Sequence, residues 1–252
     1  MKRNWSLADV AQHWDKTVGY DEINAKTASY ERRFTDSAPL FVIPSGAHVL
    51  DIDARTGIGS QFFYERNKDK NLSFTCLVVS QFFKDVATKR LQAANVPAVV
   101  QQFTNLPLPV ADNTFDVTLS YETLEHVPWP RKYIQELVRV TKPGGAIVLT
   151  TPTVAWEPIH LLAPVLGLHH SEGPHRMVQR RLITSTFAGA ACTKLKEKTT
   201  VFIPAGPPWL LALGEKLEAI VGEGVRRHTA LRRIFIYRKD GQNLAKNPRQ
   251  YH

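Results

Sequence analysis

Cysteine is nearly missing from this chain. Cys76 and Cys192 are its only two, too few and too far apart for a disulfide framework or a thiolate metal site, so a reduced, intracellular protein is expected. A long hydrophobic run is missing as well. The longest apolar stretch, Leu161 to Leu168, is less than half a membrane span and holds Pro164. The stretch from Met1 to Asp9 turns polar before an apolar core of signal length forms, which points to a cytoplasmic location. Sixteen prolines and fourteen glycines are dispersed, leaving no low-complexity linker, and no internal repeat is found. With 43% hydrophobic and 22% charged residues, 252 residues suit one globular domain.

Charge is present, but unevenly. Of a net +9, most falls between Gly224 and His252, where eight Lys or Arg face one acid, Asp240. That basic tail offers contact with an anionic membrane surface; the plainer alternative is a solvated face that keeps the protein soluble. Neither zinc-finger spacing nor aromatic-interleaved basic stretches occur, so nucleic acid is not expected as a partner.

Apolar patterning predicts helices over 6–16 and 21–37, then strands and helices in alternation. Strands are expected at 47–53, 72–79, 97–102, 115–121 and 146–151, with helices at 60–66, 81–94 and 131–140 between them. Lys142-Pro143-Gly144-Gly145 reads as a helix stop and tight turn. This rhythm means βαβ units and a doubly wound, mostly parallel sheet, with ligand at the strands' carboxyl ends. Past Thr151 a Pro- and His-rich segment precedes helices at 179–189 and 208–221 and strands at 196–203 and 231–237.

Asp51 ends the first strand, and Gly57 and Gly59 open the next helix, a turn that aims backbone N–H groups and a positive helix end at an anion. Three further segments follow in order: Asn105-Leu106-Pro107 with Phe115-Asp116, Tyr121-Glu122-Thr123-Leu124-Glu125-His126-Val127, and Glu136 through Lys142-Pro143-Gly144-Gly145. Together they resemble the class I S-adenosylmethionine-dependent methyltransferases, the type 11 branch in particular, over about residues 45–151. The resemblance implies a seven-stranded Rossmann-like methyltransferase fold whose last strand is antiparallel, with N-terminal helices (1–44), a cofactor-binding core (45–151), and a lid insertion with the sheet's second half (152–252). It implies S-adenosylmethionine as cofactor and methyl transfer to a small or lipid-like acceptor.

On that basis Asp51, Asp53, Arg55, Gly57, Val78, Gln102, Phe103 and Tyr121 are candidate cofactor-binding residues. Three depart from the family pattern. Asp53 and Arg55 replace two glycines of the first motif, and would project toward the cofactor's amino-acid end or pair with each other. Val78 stands where an acid usually binds the ribose hydroxyls, and Gln102 where an Asp usually meets the adenine amine. His126 and Glu122 are candidate general bases just past the fourth strand, needed only if the acceptor loses a proton. Trp156, His160 and His175, in the lid segment that also carries His169 and His170, are candidate acceptor contacts; no metal site is expected there. Leu161 to Leu168 and Pro207 to Leu213 add apolar surface that suits a lipid or quinone-like acceptor. Two rivals remain open: a protein with this fold and a degenerate cofactor site, acting as a non-catalytic binding or scaffold protein or a repurposed enzyme, and a nicotinamide-dependent reductase, which lacks its G-x-G-x-x-G.

Overall fold

A computed structural model describes residues 5–16, 20–21, 28–162 and 173–241. Its centre is a seven-stranded sheet in the order β3-β2-β1-β4-β5-β7-β6. The strands are β1 (His48–Ile52), β2 (Ser73–Val78), β3 (Ala98–Gln102), β4 (Phe115–Tyr121), β5 (Thr141–Pro152), β6 (Cys192–Thr200) and β7 (Arg232–Lys239). The first five run parallel, and β7 enters antiparallel to both β5 and β6. The expected seven-stranded, mostly parallel, doubly wound sheet with an antiparallel last strand is therefore the observed one.

Why these segments become strands follows from their sequence. Val49, Leu50 and Ile52 of β1 are wholly buried, as a central parallel strand covered on both faces requires. At the open edge β6 exposes Thr193, Lys194 and Lys196, charges that discourage edge-to-edge pairing. The flanking helices are α1 (Leu7–Asp15), α2 (Ala28–Thr35), α3 (Ile58–Glu65), α4 (Gln81–Ala93), α5 (Pro130–Val140), α6 (Glu157–Leu162), α7 (Arg180–Gly189), α8 (Pro208–Ile220) and α9 (Glu223–Thr229). In α5, Pro130 sits at the first turn, where its missing N–H costs nothing, and Tyr133, Ile134, Leu137 and Val138 form the buried stripe.

Three local expectations are corrected. Lys142-Pro143-Gly144-Gly145 does not precede β5 as a separate turn but forms its bulged start, where pairing slips between Phe115↔Thr141 and Val117↔Ala146. A Cβ on Gly145 would lie 2.9 Å from the Asp116 carbonyl oxygen, so only glycine lets the bulge close. α9 lies between the expected helix at 208–221 and strand at 231–237, where no element was expected. The basic C-terminal stretch is also not uniformly a solvated tail: Arg232 and Arg233 are buried in β7.

The N-terminal segment packs over the carboxyl ends of β1 and β4. Ser6 caps α1 in a reciprocal capping box with Asp9. Trp5 Nε1 donates to the His126 carbonyl at 2.8 Å, and Asp15 accepts from the Phe82 N–H. Arg32 of α2 grips Glu218 of α8 with two hydrogen bonds of 2.8 and 2.6 Å, tying the cap to the C-terminal half.

Candidate active site

The turn after β1 keeps a glycine-like path without the glycines. Asp53 (φ 55°) and Arg55 (φ 51°) both lie in the left-handed region, followed by Gly57 (φ 77°) at the start of α3. Left-handed backbone costs an L-residue roughly 1–2 kcal/mol, so the loop holds its two side chains inward at an energetic cost. Asp51 at the end of β1 accepts a 2.7 Å hydrogen bond from Ser60 of α3, and burial raises its pKa to about 7 against that bond.

Asp53 and Arg55 occupy the centre of the site, both buried. Their nearest charged atoms, Asp53 Oδ2 and Arg55 Nε, are 3.8 Å apart, beyond hydrogen-bond distance. Arg55 instead donates to the Tyr20 hydroxyl at 2.6 Å and to the Glu122 carbonyl at 2.7 Å, with Trp14 and Tyr20 rings 5.5 and 5.7 Å from its guanidinium carbon. Among the described residues, neither carboxylate oxygen of Asp53 has a hydrogen-bond partner, nor has Arg55 Nε. Burial accordingly raises the Asp53 pKa, opposed by the Arg55 charge. Between Asp51, Asp53, Arg55, Arg33, Tyr30 and Tyr121 a cavity of about 10 Å³ remains, room for roughly one water.

The other candidate cofactor residues line the same end of the sheet. Val78 is wholly buried, and its carbonyl accepts from the N–H of buried Phe103 at 2.9 Å. Gln102 donates its amide N–H to the Val79 carbonyl at 3.0 Å, which leaves the amide oxygen as its acceptor. Tyr121 is buried against Phe34, its hydroxyl 2.8 Å from Ser37 Oγ.

The Glu122 carboxylate sits between Arg232 (2.5 Å) and Arg33 (2.9 Å), on a backbone at φ 49°. Burial pushes its pKa up, but the charges of Arg232 and Arg33 overcome this and hold it at about 2. A carboxylate so stabilised takes up a proton poorly at neutral pH. His126 is buried, with Nδ1 3.1 Å from the Pro174 carbonyl and its ring 6.1 Å from both Trp14 and His175. A carbonyl only accepts, so Nδ1 is the donor in that contact.

His175, held by the Gly173 carbonyl at 3.0 Å, thus joins His126. Trp156 instead donates to the Thr229 carbonyl at 2.8 Å. The His160 side chain, and His169 and His170 entirely, lie outside the described residues. Sequence reasoning missed Trp14, Tyr20, Arg33 and Arg232. Arg33 had one signal, a charge flanked by Tyr30 and Phe34 on one helix; Arg232 had one too, since it leads directly into Ile234-Phe235-Ile236.

Comparison with known proteins agrees with this geometry. Residues 50–149 match a family described as a methyltransferase domain. A demethylmenaquinone methyltransferase of Paenarthrobacter aurescens (strain TC1) is 31% identical over 147 residues, 56% of this chain and 54% of that protein. An uncharacterized methyltransferase of Mycobacterium bovis (strain BCG / Pasteur 1173P2) is 43% identical over 54 residues, 21% of each. In its first match the chain spans about half the length of the curated relative. Among solved structures, the [4+2]-cyclase SpnF superposes with a TM-score of 0.67 at 17% identity, covering 94% of this chain and 97% of that one. A geranyl diphosphate C-methyltransferase from Streptomyces coelicolor A3(2) gives 0.65 at 14% identity, covering 92% and 97%. At these identities the structural likeness speaks to fold alone.

Proposed function

We propose, from the match of residues 50–149 to a methyltransferase-domain family, that this chain transfers a methyl group from S-adenosylmethionine to a small, largely hydrophobic acceptor. The observation that carries the proposal is the buried Asp53 carboxylate with two unpartnered oxygens beside an Arg55 whose Nε is also unpartnered. Such a pair, too far apart to satisfy itself, is complementary to a zwitterion: Asp53 takes the ammonium of the cofactor's amino-acid end, and Arg55 its carboxylate. Gly57 lets the start of α3 lie close to it. Gln102 offers its amide oxygen to the adenine amine, Val78 and Phe103 form apolar walls, and Asp51 and Tyr121 complete the floor.

The cofactor supplies an activated methyl on a sulfonium. This chain's contribution is to orient the acceptor in line, exclude water, and take a proton where the acceptor must lose one. His126 Nε2 suits that last task, with His175 and Trp156 as acceptor contacts. Room for one water does not admit a cofactor, so the N-terminal cap carrying Trp14, Tyr20 and Arg33 moves outward on binding.

Support for a hydrophobic acceptor comes from two sides. The first is the likeness to relatives named as demethylmenaquinone methyltransferases. The second is the exposed row Trp209, Leu213, Leu217 and Ile220 on α8, a surface suited to a lipid interface.

Calorimetric titration with S-adenosylmethionine and, separately, S-adenosylhomocysteine tests the proposal. Micromolar binding of both is expected, and no binding at millimolar ligand would refute it. The small closed cavity favours one alternative, a non-catalytic protein with this fold, and that negative result would be its signature.

A further inference from the structure

Three buried arginines gather on one residue at the methyl-transfer end of the sheet. Arg33 Nη2 lies 2.9 Å from Glu122 Oε2, Arg232 Nε lies 2.5 Å from Oε1, and Arg55 Nη2 donates to the Glu122 carbonyl at 2.7 Å. Each comes from a different element: Arg33 from α2 of the cap, Arg55 from the turn after β1, and Arg232 from the first residue of β7, which pairs with Pro152 at the end of β5. Three guanidiniums thus crowd one carboxylate and its backbone carbonyl, with Asp53 3.8 Å from Arg55.

An excess buried cation is costly unless something pairs with it. Arg232 bears that cost most plainly. It is only 1% exposed, yet among the described residues its Nη1 has no hydrogen-bond partner. Its planar fork presents one edge to Glu122 and leaves the other donor unused. Glu122 already demonstrates what the site accepts, a planar oxyanion held between two guanidiniums.

We propose that Arg33 and Arg232, organised by Glu122, form the subsite for an anionic group on the methyl acceptor, a carboxylate or a phosphate. This rests on the methyltransferase reading and narrows its substrate class to an amphipathic molecule with an apolar body and an anionic head. Arg232 binds the anion through Nη1, Arg33 closes on it as the cap returns, and Glu122 holds both guanidiniums in place. Glu122 is thus a positioning residue rather than a base.

The test uses the full chain at fixed ionic strength, titrated calorimetrically with sodium pyrophosphate and with sodium benzoate, each against a sodium chloride control, and with S-adenosylhomocysteine in parallel. At least one anion is expected to bind, and which of the two does so separates phosphate from carboxylate. Arg232→Met should weaken that binding tenfold or more, the worth of one charge-assisted pair, with S-adenosylhomocysteine affinity unchanged within about twofold. If Arg232→Met fails to fold, Arg232→Lys keeps the charge beside Glu122 but removes the fork, and the same loss is expected. Should S-adenosylhomocysteine bind while neither anion exceeds chloride, or should the anion bind equally well to the variants, the subsite is overturned. Failure of S-adenosylhomocysteine itself to bind overturns the methyltransferase reading instead.

Discussion

Glu122 is gripped by two buried guanidiniums, Arg33 and Arg232. Its folded-state pKa of about 2 lies below the ordinary 4.5, so its ion pairs stabilise the fold above pH 4.5 and that contribution drains away as pH falls toward 2. The difference is worth about 3 kcal/mol. Thermal unfolding between pH 5 and 2 should show this loss, and Glu122→Gln should flatten it. The same substitution should destabilise the protein at neutral pH by roughly 3–5 kcal/mol, because it strands buried guanidiniums. Arg55 makes a second case: Arg55→Ala should weaken S-adenosylhomocysteine binding about tenfold in calorimetry if the guanidinium meets the carboxylate. Unchanged affinity would remove Arg55 from that role. That Asp53, Arg55 and Glu122 stand at the carboxyl ends of β1 and β4 was legible from sequence, because all three lie inside recognisable motifs. Arg232 was not, since the run Ile234-Phe235-Ile236 that follows marks a strand but not the carboxylate 110 positions earlier that holds its charge. Among the basic residues after Gly224 it read as one more solvated charge.

At the scale of elements, local pattern succeeds where periodicity is strong and fails where backbone chemistry decides. The ends of β1, β2, β4, α4 and α5 fall within a residue or two of expectation, since alternation of apolar runs with amphipathic stretches marks them. The starts of β5 and β6 do not. Thr141 to Gly145 joins the sheet through a glycine bulge. In β6 the residues paired with β7 are Cys192, buried, and Thr193 and Lys194, polar and exposed, with the register slipping at Leu195. Both starts depend on a neighbour strand supplying hydrogen bonds, which composition does not reveal. The cap helix α1 buries Leu7, Val10 and Trp14 in the core, and Ser6 caps its first turn. Ser6→Ala should therefore loosen it by about 1 kcal/mol. Hydrogen exchange should record roughly fivefold faster exchange across Leu7–Asp15, with β1 and β4 amides unaffected. Equal acceleration across the sheet would mean that cap and core open together.

For the molecule as a whole, the exposed apolar row on α8 faces away from the core while Arg32 and Glu218 bind that helix to the cap. Contact of α8 with a lipid surface would thus act on the element that closes the site. Sedimentation with phosphatidylglycerol vesicles should recover the protein. The pair Trp209→Ala and Ile220→Ala should reduce that recovery tenfold or more, since each buried side chain is worth roughly 1.5–3 kcal/mol. Retention by vesicles in the double variant, lost only at high salt, would assign the attachment to the basic residues instead.

The sheet order has a consequence for synthesis. β7 is the last strand made but the sixth in place, wedged between β5 and β6. A ribosome adding about 5–20 residues per second needs roughly 4–17 s to pass from Pro152 to Lys239. Throughout that interval the growing polypeptide presents the bare edge of β5, rich in Ile147, Val148 and Leu149. Newborn copies emerging side by side on one messenger could pair through that edge before each receives its own final strand.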